Sequence, residues 1–573
     1  MPDPADISAL DQALADQLCA WYGCDRVDFH DTVIDLSQAL QQGHSCLHRD
    51  DHTLAQKLEG LPLAPQDATP LVFDQNRLYL RRYWQFETEL AAALRQRTRP
   101  TPLADIPQAR QCLDQLFADP VEPSQTNWQK IAAANALLQG FSVIVGGPGT
   151  GKTYTVTRLL ACLMTCLQST ASVPLVVKMA APTGKAAQRL AESVALAKTQ
   201  LQGLVDPAIL DLIPDQGQTL HRLLGVIPRS LQFRHQQNNP LALDILVVDE
   251  SSMIDLPLMT RLFRALPPQC RVILLGDANQ LPSVAAGSVL ADLAPASPPS
   301  YSAAHLQRLE SLGISLPPSE PPCRDYVTWL QQSRRFDDDS GIGQLAQRLL
   351  LGQAQASLDC FKNYPQALAW RATEPLHTAL TEWAQTFYRP VQEADCLATA
   401  FEQLGRFRIL CATRTGARGV EAINRQLVQQ LNPSGQTFFA GQPLMITRNQ
   451  YDLGLFNGDI GLIWPDDQGQ LFAWFPTPQG FRPLATARLP EHETVYAMTI
   501  HKTQGSEFDQ VALVLPDQPQ ALLSRELLYT GLTRAKHKLT LCGSESIWRN
   551  GVEQRIQRHS GLSLRLAGVE TNT

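Results

Sequence analysis

No run of 18 consecutive apolar residues occurs anywhere in the chain, so no segment reads as a membrane-spanning helix. A basic, apolar leader is missing too: the chain opens Met-Pro-Asp-Pro-Ala-Asp, which predicts a cytoplasmic protein without a secretion signal. None of the 12 cysteines forms a Cys-x-x-Cys pair. That argues against zinc ribbons and dithiol redox motifs and predicts buried free thiols in a reducing compartment, as at Cys162 and Cys166. Aromatic residues are scarce at 7%, so Trp128, Phe456, Trp464, Phe472 and Trp474 are assigned first to cores and second to base stacking. Residues 1–50 contain no Glu, yet nine Asp there face only Arg26 and Arg49. The net charge of −7 therefore sits in that segment and the rest of the chain is neutral. Phosphate contacts need Lys and Arg. The acidic segment thus reads as a partner-docking face or as a solvated helix face, while a neutral remainder still permits a local basic groove. There is no internal repeat and no long low-complexity segment.

At 573 residues and 44% apolar content the chain has room for three or four domains, each with its own core. Residues 1–115 show helical spacing, as at Leu10, Leu14 and Leu18 and again at Leu90 and Leu94, which predicts a helical N-terminal domain for partner docking. Residues 116–325 alternate strand and helix patterns, the signature of a parallel sheet with crossover helices. Proline-rich stretches at 294–300 and 316–322 place a lobe boundary, after which residues 326–573 read as a second α/β lobe. That lobe is interrupted at about 436–495 by short β-type runs (443–447, 461–464, 470–474) separated by Asn-Gly-Asp and Asp-Asp-Gln-Gly turns, which predicts a small β-barrel insertion.

The chemistry is concentrated after three apolar runs. Phe141–Val145 leads into Gly146-Gly147-Pro148-Gly149-Thr150-Gly151-Lys152-Thr153 and then a helical pattern. Strand, glycine loop and helix in that order cradle phosphates: loop N–H groups and the helix N-terminus face the anion, Lys152 reaches the β/γ oxygens, and Thr153 is placed to hold Mg²⁺. A nucleoside triphosphate is the expected ligand. The run Asp244–Val248 ends in Asp249-Glu250, where Asp249 would hold Mg²⁺ and Glu250 would orient and deprotonate the attacking water. Arg271–Leu275 runs into Gly276-Asp277-Ala278-Asn279-Gln280-Leu281-Pro282.

This last motif resembles motif III of the superfamily 1 helicases, and the other motifs of that superfamily follow in chain order. The resemblance makes Gln280 a γ-phosphate sensor and Gln129 the adenine-reading glutamine. It assigns Pro182, Thr183 and Lys185 (in Ala181–Ala187), Thr219 and His221 (in Thr219–Gly225), and Thr499, His501 and Lys502 (in Tyr496–Phe508) to DNA contact. Ser333-Arg334-Arg335-Phe336 is similar to motif IV, with Arg335 as its phosphate-facing arginine. Arg334 stands where Tyr is usual, so the choice between the two arginines stays open. Leu528–Lys536 is similar to motif VI, with Arg534 as the arginine finger, and Thr503 replaces a common Ser in motif V. A guanidinium delivered from a second domain neutralises transition-state charge only on closure, which is how hydrolysis can be coupled to movement.

Two further segments narrow the resemblance to RecD-type helicases: Arg448–Gly461, which includes the DNA-contact candidate Asn457, and Gly43-His44-Ser45-Cys46-Leu47. The resemblance implies two RecA-like motor lobes, an SH3-like character for the insertion, ATP and Mg²⁺ as cofactors, and 5′-to-3′ movement on DNA. It also implies RecB-like and RecC-like partners in a complex that processes double-strand breaks. Stand-alone relatives usually carry helix-hairpin-helix repeats near the N-terminus, and residues 1–115 show none, which favours the complex subunit. The alternatives are a stand-alone helicase and an assembly subunit with a vestigial ATPase; intact Lys152, Asp249, Glu250, Gln280, Arg335 and Arg534 speak against the latter. His44, Cys46, His48 and His52 fit no common zinc spacing. Asp337-Asp338-Asp339 reads as a capping turn instead of a nuclease centre, so cleavage is expected of another subunit.

Overall fold

The computed structural model describes residues 7–49, 53–118, 126–168, 173–230, 232–295, 300–333, 340–372, 374–477 and 480–567. Its first large sheet has six parallel strands in the order 217–219, 177–181, 245–248, 271–276, 141–146, 327–330. Parallel strands buried on both faces read as unbroken apolar runs, and here alternate residues enter two different cores. Ile144, Val247 and Ile273 face one core with the helices Trp128–Leu138, Lys152–Gln168 and Gly184–Leu201. Val143, Val145, Val248 and Leu274 face the other, with Arg81–Arg97 and Leu256–Ala265.

A second parallel sheet orders its strands 368–371, 535–542, 508–514, 407–411, 497–499. The same alternation holds, with Leu410, Val511 and Leu513 on one face and Ile409, Ala512 and Val514 on the other. Two doubly covered parallel sheets are the expected pair of motor lobes. Between 411 and 497 the chain forms a five-stranded antiparallel sheet in the order 480–485, 471–477, 460–465, 443–446, 492–494. Its small core holds Leu444, Ile446, Ile463 and Phe475.

Three details differ from the sequence reading. The strand Val327–Leu330, which a boundary at 326 gives to the second lobe, pairs with Val143–Gly146 in the first sheet. The proline-rich stretches thus precede the last strand of the first lobe. Residues 1–115 are mostly helical, as the spacing predicts, but they also hold a small antiparallel sheet that the spacing does not reveal, formed by strands 47–48, 77–80 and 71–74. Its hairpin turns at Gln75-Asn76, both at positive φ (51° and 58°), the backbone of a tight primed turn without the usual glycine. Nor is the N-terminal region separate, because Phe86, Leu90 and Leu94 pack into the first lobe's core.

The C-terminal tail also returns there. After Glu545–Glu553 packs on the second lobe, residues 554–561 cross to the first, and Leu562 enters its core. The Gly43-His44-Ser45 motif receives the tail: Ser45 N–H donates to His559 O (3.0 Å), and His559 N–H donates to His44 Nδ1 (2.8 Å). All twelve cysteines are free and nine are buried. No group of metal-ligating side chains occurs among the described residues, and no described helix is long and apolar enough to cross a membrane.

Candidate active site between two lobes

The glycine loop leaves the buried strand Phe141–Gly146 at the C-terminal edge of its sheet and enters the helix at Lys152. Gly149 and Gly151 take φ of 78° and 80°, a backbone that residues with a Cβ rarely adopt. Lys152 Nζ donates to the carbonyls of Gly146 (2.6 Å) and Gly147 (3.1 Å), which holds the ammonium over the loop. Gln129 Nε2 donates to Thr150 O (3.1 Å), so that side chain borders the loop from the preceding helix.

Two strands away, Ile245–Val248 ends at Asp249 and Glu250. Glu250 sits at φ 51°, one of four non-glycine residues at positive φ in the described chain. Such strain concentrates at working sites, where the surroundings over-determine an uncommon backbone. Burial, and then the Glu250 charge, push the Asp249 carboxyl up to about 6, while Lys152 pulls it down. On the strand between, Asp277 is buried; its Oδ2 accepts from Gln280 Nε2 at 3.0 Å. Burial raises the Asp277 carboxyl as well.

Lys152, Thr153, Asp249, Glu250 and Gln280 line one cleft of about 450 Å³, into which Arg534 comes from the second lobe. Arg534 is buried and fixed by Nε to Thr530 O (3.0 Å) and Nη1 to Ser506 O (3.1 Å). A volume of several hundred cubic ångströms is the ordinary size of a small-ligand site. Lys152, Thr153, Asp249, Glu250, Gln280 and Arg534 are therefore brought together, while Arg334 and Arg335 lie outside the described residues, as do His52 and Asp337–Asp339.

Residues 129–286 match the AAA domain family, and residues 494–542 match the UvrD-like helicase C-terminal domain family. The RecBCD enzyme subunit RecD of Haemophilus influenzae is 39% identical over 529 residues, covering 86% of this chain and 80% of that one. Its Mycobacterium tuberculosis counterpart, also a RecBCD enzyme subunit RecD, is 37% identical over 544 residues, or 93% and 87% of the two chains. The chain belongs to the RecD family of superfamily 1 helicases. The ATP-dependent RecD2 DNA helicase of Deinococcus radiodurans is similar at 30% over 505 residues, spanning 86% of this chain and 59% of that protein.

Within this RecD-family chain the DNA-contact candidates fall into two groups. Pro182 and Thr183 follow a strand whose last residue, Ala181, pairs with Thr219, and His221 lies just beyond, 5.8 Å from Phe233. Both threonines cap helices: Thr183 Oγ1 accepts from Ala186 N–H and Thr219 Oγ1 from Arg222 N–H. Asn457 joins this group from the second lobe, since its neighbour Phe456 packs over Gly184. Burial, with Arg189 and Arg408 nearby, lowers Lys185 to about 8. Thr499 and Lys502 line a separate groove with Arg414, Asn424 and Glu493, and burial lowers the adjacent His501. Lys502 Nζ is held by Glu493 Oε1 at 2.5 Å.

Sequence reasoning missed Asp277, Tyr529, Arg414 and Glu493. Asp277 and Tyr529 stood inside quoted motifs without a role. The other two carry no local signal, because only the fold places a residue at 414 or 493 beside Lys502.

Proposed function

We propose that the chain is the ATP-dependent 5′-to-3′ DNA helicase subunit of a RecBCD-type helicase–nuclease complex, acting on double-strand breaks in the cytoplasm. The observation that carries this reading is the presence of Arg534, from the second lobe, in the cleft that holds Lys152, Glu250 and Gln280 of the first. A cleft shared in this way makes closure a condition of hydrolysis, because the transition-state charge on the γ-phosphoryl oxygens is neutralised only when both lobes contribute.

In this reading the N–H groups of Gly146–Thr153 and the Lys152 ammonium bind the triphosphate, and Gln129 reads the adenine edge. Glu250 takes the proton of the attacking water, Gln280 holds the γ-phosphate end, and Arg534 stabilises the oxygens as charge develops, with Arg335 as a second arginine. The donor set also fits Mg²⁺. Asp249 and Glu250 place two carboxylates side by side at the cleft wall, an arrangement that is costly unless a cation compensates it, and Thr153 lines the same cleft. Bound there, the ion would neutralise phosphate charge. Pro182, Thr183, Lys185, Thr219, His221, Asn457, Thr499, His501 and Lys502 would hold the strand across both lobes. Partner contact falls to the N-terminal region, and strand cleavage to a partner subunit. The domain scheme is a docking region at 1–115, a first motor lobe whose sheet ends at Leu330, and a second lobe carrying an SH3-like insertion.

The test compares unwinding of duplexes with 5′ or 3′ single-stranded tails, with and without RecB- and RecC-like proteins of the same source. Unwinding from 5′ tails that requires Lys152 and stable co-purification of the partners is expected, and Lys152→Gln should abolish it. Strong 5′-tail unwinding without partner association would move the reading to a stand-alone helicase. ATPase activity indifferent to DNA would defeat both.

A further inference from the structure

One polar chain crosses between the lobes at the back of the cleft. Asp277 is saturated with donors: Oδ1 accepts from Asn279 N–H (3.0 Å), and Oδ2 accepts from Gln280 Nε2 (3.0 Å) and from the Tyr529 hydroxyl (3.1 Å). Tyr529 belongs to the second lobe, on the helix Arg525–Leu532, and is buried. Its hydroxyl lies so close to the glycine loop that a Cβ on Gly147 would stand 2.9 Å from it. The adjacent Thr530 accepts from Leu281 N–H (2.9 Å), and Gln504 Nε2 donates to Leu281 O (3.1 Å), so the segment after Gln280 is gripped on both sides by the second lobe. Arg534 follows one turn later and bonds the carbonyl of Thr530.

An amide beside a carboxylate must turn its N–H toward it, which fixes which end of Gln280 faces Asp277. Gln280 Oε1 is left buried with no partner among the described residues, although Gln280 lines the cleft. Asp277 in turn is held by a donor from the opposite lobe. The same short helix end thus carries both the group that orients the Gln280–Asp277 pair and the arginine that completes the cleft.

We propose that Tyr529 is a positioning residue whose hydroxyl, through Asp277, sets the Gln280 amide when the second lobe closes, so that Gln280 and Arg534 are brought into register by one movement. The proposal rests on the ATPase reading above and assigns that site its coupling element. Without the hydroxyl, Asp277 keeps its first-lobe donors but loses its tie to the second lobe. Arg534 can still arrive, and Gln280 is no longer oriented in step with it. Hydrolysis and unwinding should separate.

The experiment uses the subunit assembled with its partners and follows DNA-stimulated ATPase together with base pairs unwound per ATP. Tyr529→Phe keeps the ring and removes one oxygen. It is expected to lower kcat about tenfold with KM for ATP within about twofold, a loss confined to the chemical step, and to lower the base pairs unwound per ATP. Asp277→Asn approaches the same hydrogen bond from the first lobe and should reproduce the kcat loss even if the tyrosine variant proves unstable. The double variant should be no worse than the poorer single one, since partners in one network are not additive. Thr530→Val, which removes the neighbouring interlobe bond, should cost less than Tyr529→Phe. Additive losses, equal damage from Thr530→Val, or an unimpaired Tyr529→Phe would each overturn the proposal. If the wild-type complex itself showed no Lys152-dependent hydrolysis, the ATPase reading would fall along with it.

Discussion

Two of the places where the second lobe meets the first are built on different principles. At the cleft the contact is a few hydrogen bonds around an open volume, with Tyr529 and Thr530 reaching across to Asp277 and Leu281. At the tail the contact is a filled, charged core. Glu87 is wholly buried and accepts from Ser45 Oγ (2.6 Å), Ser560 Oγ (3.0 Å), Gly561 N–H (3.1 Å) and Arg565 Nε (3.4 Å). Arg565 is also paired with Asp74 at 2.8 Å, and the Arg558 guanidinium occupies the space that a Cβ on Gly43 would take. A single hydrogen bond contributes about 1 kcal/mol, or about 1.5–3 when it reaches a carboxylate as Tyr529 does, whereas breaking a buried ion network costs about 3–5 kcal/mol. The cleft contact can therefore be exchanged during a cycle. The tail contact holds, and it ties the end of the second lobe to the N-terminal region that the acidic segment occupies.

The sharpest way to break this comparison is to damage each contact alone. Glu250→Gln should reduce DNA-stimulated hydrolysis by about 10²–10⁴-fold, the range of a lost general base, and leave the melting temperature where it was. Glu87→Ala should do the reverse, lowering stability by about 3–5 kcal/mol by removing one of Arg565's two carboxylates and the shared acceptor of Ser45, Ser560 and Gly561, and opening residues 554–567 to protease, as a urea titration and limited proteolysis would read. A Glu87→Ala protein as resistant as wild type would show that the tail is not fixed by this network.

A smaller effect is expected in the groove holding Lys502. Glu493 occupies that ammonium and stands 3.9 Å from Arg414, so Glu493→Gln should free positive charge for phosphate. Single-stranded DNA should bind several-fold more tightly, with the salt slope steeper by about 0.7 for each additional phosphate neutralised. An unchanged slope in a fluorescence titration would place Lys502 away from the strand.

The smallest effect concerns pH at the tail. Burial first, then His559 and Arg558, lower His44 from 6.5 to about 4. The unfolded chain binds the extra proton first, so this contribution to stability is complete above about 6.5 and is lost as pH falls toward 4. Melting temperature should decline over that window, and His44→Asn should flatten the decline.

Half of the cleft was readable as short local patterns, a glycine loop after a strand and an acidic pair ending a strand, while Gln280 and Arg534 came only through the resemblance to superfamily 1 helicase motifs. The parallel sheets were readable because strands buried on both faces must be apolar throughout. Where the reading missed, the cause was distance along the chain. Strand Val327–Leu330 follows a proline-rich connection and looks like the start of a new lobe, yet its register with Val143–Gly146 is decided by pairing across about 180 residues. The hairpin at Gln75-Asn76 lacks the glycine that usually marks it. Gly43-His44-Ser45 carried a family resemblance but gave no sign that its partner is His559.

By itself, then, the sequence determined the chemistry available at each strand end and the two-lobed parallel architecture, because local periodicity and fixed motif spacing suffice for both. Only the tertiary structure decided which groups meet: Tyr529 with Asp277, Glu493 with Lys502, Glu87 with the tail. No helical or strand period relates the members of any of those pairs, and what selects them is the need of a buried or crowded charge for a partner.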